Sequence, residues 1–265
     1  METSKVFISS LNIERSHTIP TIENSLDCND VIIYKIYLPN FISIKDCLSN
    51  FLNSSEVSRA QRFYKEVDRN RFIIYRSILK FVLAFTTQMD VKDIYIENDF
   101  NKKPYLASHP LLHFNISHSE DHTVIAISRK KVGIDIEYKA ENFDFTNILQ
   151  DVFYDNEISY IENAVNKKHA FYTLWTRKEA FVKALGKGID DDFKYMPCLD
   201  GQHDISATVL NETENWQVYS FNFAEDYSGA VCIEGLPKVP EVLKVYTLPN
   251  TMKELLELTQ ERKGQ

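Results

Sequence analysis

Apolar and polar positions along this chain alternate with two different periods, and the switches between them outline its elements. Residues 31–38 form an almost unbroken apolar run closed by Pro39 and Asn40, which predicts a largely buried strand. From Glu56 the spacing turns helical, with Phe72, Tyr75, Leu79 and Val82 on one stripe and Ile74, Ile78, Phe81 and Phe85 on the next. A helix apolar around so much of its circumference belongs inside a core. Short β-rich runs at 93–97 and 123–128 predict strands, as does Gly133-Ile134-Asp135-Ile136-Glu137. A second helix is predicted from about His169 to Leu185, stopped by Gly186 and Gly188. Strands follow at 216–223, 229–234 and 242–246, then a surface helix at 251–262 with Leu255 and Leu256 turned inward. Each half reads as strands around one long helix, an α+β fold.

Two segments carry chemistry. Period two puts Asp135 and Glu137 on one strand face, about 6–7 Å apart, with Ile134 and Ile136 pointing into a core. Two acids sharing a buried face repel unless a proton or cation stands between them. Mg2+ suits few carboxylates plus substrate phosphates; pairing with basic side chains at a strand end is the plainer alternative. On the second helix Glu179 and Lys183 are four residues apart and share a face, with Trp175 four before Glu179 as a packing residue. Here the plainer alternative is an ordinary salt bridge.

Bulk properties narrow the choice. The chain has 265 residues, 44% hydrophobic, with a formal charge of −8. A pI near 5.4 argues against a nucleic-acid partner, so any anion site is a local basic patch. Cys28, Cys47, Cys198 and Cys232 show no C-x-x-C spacing and read as free thiols of a reducing compartment. No run approaches the roughly 18 apolar residues of a membrane span, and the start lacks a signal-peptide pattern. A soluble cytoplasmic protein without a membrane partner is expected. No Walker or Rossmann glycine motif is present to cradle phosphates.

Four ordered segments resemble those of the surfactin-type 4'-phosphopantetheinyl transferases. They are Lys103-Pro104, Phe114-Asn115-Ile116-Ser117-His118-Ser119, the Gly133–Glu137 strand, and the helix from Trp175 to Lys183 running into Leu185-Gly186-Lys187-Gly188. The resemblance implies two similar, pseudo-two-fold-related subdomains, each a small mostly antiparallel sheet on a long helix. Residues 1–130 would contribute nucleotide and pyrophosphate contacts, and residues 131–265 the metal-binding strand and catalytic helix. It implies a monomer that moves the phosphopantetheine arm of coenzyme A to a serine of an apo acyl or peptidyl carrier protein, releasing adenosine 3',5'-bisphosphate.

By the same resemblance, Asp135, Glu137 and Glu179 would hold Mg2+, or Mn2+ in its place. Glu179, Lys183 and His118 form the catalytic set, with Glu179 the candidate base. His118 would donate to the pyrophosphate, with Ser117 and Ser119 adding donors. Lys183 and Lys178 would offset coenzyme A phosphates, Arg71 would take the 3'-phosphate, and Lys103 would reach the nucleotide. Two positions depart from the family pattern: Lys102 replaces a glycine, and Glu120 and Asp121 stand where glycine is common. Two acids beside a phosphate pocket are unfavourable unless they turn outward. Two rival readings remain: a catalytically silent carrier-docking module, and a metal-dependent nuclease suggested by the E-x-K triplet Glu137-Tyr138-Lys139.

Overall fold

The computed structural model describes residues 3–16, 31–188, 192–210, 213–235 and 240–260. Its first half runs β1 (Thr3–Ser10), β2 (Asn12–Ser16), β3 (Val31–Tyr37), α1 (Lys45–Ser49), α2 (Ser54–Gln61), α3 (Glu66–Thr87), β4 (Ile96–Asn98), β5 (Pro104–Leu106), β6 (His113–Ser119) and β7 (His122–Ser128). The second runs β8 (Val132–Tyr138), α4 (Leu149–Val152), α5 (Asp155–Asn163), α6 (Lys167–Leu185), β9 (Gly201–Ser206), α7 (Ala207–Leu210), β10 (Trp216–Ala224), β11 (Tyr227–Glu234), β12 (Val242–Thr247) and α8 (Met252–Gln260). The strand predicted at 93–97 shrinks to a 3-10 turn, Val91–Asp93, followed by β4. Strands β1, β2, β5 and β9 have no counterpart in the predicted pattern. Cys28 and Arg262 lie outside the described residues.

The strands build two five-stranded sheets, β2-β12-β3-β7-β6 and β8-β11-β10-β1-β9, plus the small β4-β5 pair. Strand alternation explains how they stack. From β3 and β7, Ile32, Tyr34, Ile36, Ile125 and Ile127 face one way and pack with Ile78, Phe81 and Val82 of α3. Their neighbours Ile33, Val124 and Ala126 face the other way, meeting Ile134, Ile136, Val231 and Ile233 of the second sheet. On that sheet's far face Val6, Trp216, Val218, Ala230 and Cys232 pack with Ala180, Phe181 and Ala184 of α6. The order of layers is therefore helix, sheet, sheet, helix, an α+β fold with each sheet on one long helix.

The chain ends cross between sheets. Strand β1 lies parallel to β10 and beside β9, while β12 lies parallel to both β2 and β3. Each sheet therefore takes strands from both sides of residue 130. Among the described residues no helix is long and apolar enough to cross a membrane.

Two local features fix α6 over β8. Asn166 caps its start, accepting from the His169 N–H, and Gly186 ends it in the left-handed conformation (φ 73). Gly133 faces the helix from β8, where a Cβ would stand 2.0 Å from the Ala180 carbonyl oxygen and 2.3 Å from the Ala184 nitrogen. Only glycine permits that approach. Lys102 adopts φ 65, so the β4–β5 turn keeps the left-handed residue that a glycine would supply. Asp99 steadies the turn, its Oδ1 accepting from the Lys103 N–H at 2.9 Å.

At the β7 start, the His122 ring sits among Tyr37, Phe223 and Tyr227, with centroids 4.7–5.3 Å away. Burial, then nearby Lys35, pushes its pKa down to about 4. The unfolded chain, titrating near 6.5, takes the proton first, so stability rises with pH between those values. The urea midpoint should therefore fall from pH 7 to pH 5 more steeply in the wild type than in His122→Phe. Parallel pH profiles would contradict this.

Candidate active site

Strands β6 and β8 are edge strands of different sheets and lie side by side without a backbone ladder. The period-two pattern of β6 joins them. Phe114 and Ile116 pack toward α3, leaving Asn115, Ser117 and Ser119 facing β8. Asn115 Oδ1 accepts from the Ile134 N–H at 2.9 Å, Ser117 Oγ from Ile136 at 3.4 Å and Ser119 Oγ from Tyr138 at 3.0 Å. Side chains thus do what the carbonyls of a neighbouring strand would do for an otherwise unsatisfied edge.

The same hydroxyls orient the acids. Ser117 Oγ donates to Asp135 Oδ1 at 2.8 Å, and Ser119 Oγ donates to Glu137 Oε2 at 3.0 Å. From α6, Lys183 Nζ reaches Asp135 Oδ1 at 2.6 Å and Ser117 Oγ at 3.2 Å. Asp135 is 2% exposed, and its Oδ2 is buried without a hydrogen-bond partner among the described residues.

The electrostatics follow from this crowding. Burial, then the Asp135 charge, pushes the Glu137 pKa up to about 7. Burial also brings Glu179 up to about 7, opposed by Lys183 and reinforced by Asp135. For Lys183, burial favours the neutral amine, but Asp135 and Glu179 outweigh it and hold the ammonium above its ordinary range. One ammonium serves three desolvated carboxylates, so the cluster is short of positive charge.

Nitrogen donors face it from the α3 side. His118 stacks on Tyr75 with ring centroids 4.9 Å apart. Shielding from water, then Lys183 and Arg71, lowers its pKa. Arg71, one turn before Tyr75, donates through Nη2 to Glu120 Oε2 at 3.1 Å and Asp121 Oδ1 at 3.0 Å. Farther along α2 and α3, Arg59, Arg62, Phe63, Phe72 and Arg76 line a cavity of about 520 Å3.

Asp135, Glu137, Glu179, Lys183, Ser117 and His118 thus converge where the two sheets meet. The other predicted contact residues have partners of their own in the fold. Lys178 neighbours Glu179 in sequence, but a helix turns about 100° per residue. Its fully buried ammonium pairs with Glu157 at 3.0 Å and donates to the Lys194 and Met196 carbonyls. It is a structural cation and does not face the cluster. Lys103 donates to the Ala184 carbonyl at 2.8 Å, at the last turn of α6. Ser117 and Ser119 direct their hydroxyls to the acids rather than outward. Glu120 and Asp121 turn toward Arg71.

Sequence reasoning named Asn115, Tyr75 and Gly133 but gave them no part in the site. The alternation Asn115, Ser117, Ser119 was a readable signal, as was the spacing of four between Arg71 and Tyr75.

Among the described residues no three His, Cys, Asp or Glu side chains converge into a ready cation site. The donors nevertheless suit a hard divalent ion: oxygen ligands, a charge deficit, and a buried carboxylate oxygen without a partner.

Residues 131–232 match the model of the 4'-phosphopantetheinyl transferase superfamily, and residues 43–130 that of 4'-phosphopantetheinyl transferase, N-terminal. The transferase gsp of Aneurinibacillus migulanus is 33% identical over 196 residues, covering 69% of this chain and 78% of the relative. HetI of Nostoc sp. is 31% identical over 168 residues, covering 61% and 70%. The chain belongs to the 4'-phosphopantetheinyl transferase superfamily. Sfp of Bacillus subtilis, 28% identical over 216 residues, covers 79% of this chain and 94% of its own. The resemblance to surfactin-type transferases is thereby borne out, and the chain's enzyme class is 4'-phosphopantetheinyl transferase.

The β6–β8 seam of this transferase makes a prediction of its own. Asn115→Ala leaves a buried N–H at Ile134 unpaired and should cost about 1–3 kcal/mol in urea unfolding. A loss below about 0.5 kcal/mol would show that Asn115 does not sustain the seam.

Proposed function

We propose that this transferase moves the 4'-phosphopantetheine arm of coenzyme A to the serine of an apo acyl or peptidyl carrier protein, in a Mg2+-dependent reaction. The observation that carries this reading is the cluster of Asp135, Glu137, Glu179 and Lys183, with its unpartnered Asp135 oxygen, in a chain of this family. The serine oxygen bonds to the pantetheine-side phosphorus of the pyrophosphate, and that phosphorus loses its bridging oxygen. Adenosine 3',5'-bisphosphate leaves with the bridging oxygen.

Each residue has a task. Glu179 accepts the serine proton, as a carboxylate within reach of the nucleophile can. Lys183 keeps its positive charge beside Asp135 and offsets charge on the transferring phosphate. His118 donates to the pyrophosphate from the Tyr75 side, and Arg71 serves the 3'-phosphate. Asp135, Glu137 and Glu179 would hold Mg2+, which would neutralise pyrophosphate charge and favour in-line displacement. Mn2+ can take the same oxygen donors. Ser117 and Ser119 act as positioning residues, fixing the two strand carboxylates. The reading also makes the enzyme a monomer, and a cytoplasmic one, the reducing compartment being consistent with the free thiols of Cys47, Cys198 and Cys232.

The direct test is intact-mass analysis of an apo carrier incubated with coenzyme A, Mg2+ and this protein. A serine-linked gain of about 340 Da, lost with EDTA, is the expected product of splitting the pyrophosphate. No gain on fatty-acid, polyketide or peptide carriers would contradict the reading. Asp135→Asn and Glu179→Gln should each lower turnover by at least about 100-fold while circular dichroism stays unchanged. Turnover near wild type in either variant would remove that residue from the site.

A further inference from the structure

Arg71 is set apart from the other cations on the α3 side by the acids around it. Its Nη2 is bonded to Glu120 and Asp121, and its Nη1 lies 3.7 Å from Asp68. One guanidinium thus faces three carboxylates. Its Nε is buried, and the hydrogen bonds that Arg71 makes among the described residues both run from Nη2 to the turn acids, so a ligand at Arg71 meets those carboxylates first. The two turn acids are not placed there by strand geometry alone. Glu120 opens the two-residue β6–β7 turn with φ 45, a conformation that favours glycine, and the chain keeps an acid there.

Resting on the reading of Arg71 as the 3'-phosphate residue, we infer that the Glu120–Asp121 turn is a specificity device that suppresses recognition of the 3'-phosphate. A donor lacking it, 3'-dephospho-coenzyme A, then serves this enzyme about as well as coenzyme A. A phosphomonoester carries close to two negative charges at neutral pH. To reach Arg71 it must break two charge-assisted hydrogen bonds and approach two like charges, so much of the gain from a new phosphate–arginine contact is cancelled. The dephosphorylated donor meets neither obstacle. Its pyrophosphate and pantetheine arm are unchanged, so the same serine oxygen–phosphorus bond forms and the same bridging bond breaks. The serine proton passes to the same base, and the leaving group becomes adenosine 5'-monophosphate.

The test compares kcat/KM for the two donors, read by carrier mass, in the wild type and in Glu120→Gln/Asp121→Asn. These substitutions keep side-chain size and remove both charges. The ratio of coenzyme A to 3'-dephospho-coenzyme A should rise by about five- to ten-fold through the coenzyme A value alone, as freeing two partly exposed ion pairs allows. Adding Arg71→Ala should abolish the rise. A ratio changed by less than about two-fold, or an equal change for both donors, overturns the inference and hands the 3'-phosphate to another cation such as Arg59 or Arg62. Transfer from neither donor in any variant overturns the transferase reading, and the inference falls with it.

Discussion

The hydrogen bonds that Asn115, Ser117 and Ser119 accept from the otherwise unpaired edge of β8 are the interaction on which the site depends. Each sheet closes its own core against a long helix, and the inter-sheet core and this seam bring the two catalytic faces together. The seam is polar because it serves two purposes. A backbone ladder would satisfy the β8 edge but leave no hydroxyls beside the carboxylates. The serines satisfy the edge and orient the acids with the same oxygen atoms.

The acids exert a cost that the surrounding packing must offset. Three desolvated carboxylates near one ammonium would destabilise a fold unless something held them there. Gly133 supplies that hold by letting α6 approach β8 closely enough for Lys183 to pair with Asp135. The residual charge deficit makes the cluster a receptive place for a cation. On the other side of α6, Lys178 and Glu157 form a buried pair with no such deficit. Two lysines five residues apart thus play opposite parts, one structural and one facing the acids.

Much of this was legible from residue order. Period two placed Asp135 and Glu137 together opposite Ile134 and Ile136, and period 3.6 placed Glu179 with Lys183, because both are local geometric facts. The long helices α3 and α6 were likewise local. What escaped was non-local. Nothing within residues 3–10 announces pairing with β10, more than two hundred residues later, nor does β12 announce its place between β2 and β3. Lys178 and Lys103 have partners, Glu157 and the Ala184 carbonyl, that charge alone does not reveal, because they are set by tertiary contacts. The acids Glu120 and Asp121 were visible as a departure, but their target, Arg71 on α3, became clear only in three dimensions.

Amide hydrogen exchange along β8 tests the seam most directly. Ile134, Ile136 and Tyr138 should exchange within about ten-fold of the alternate residues that pair with β11, and Ser117→Ala should speed Ile136 selectively. Exchange of all three at the rate of an open edge strand would show that the β6 side chains do not close the seam, and the account of how the acids are positioned would fail.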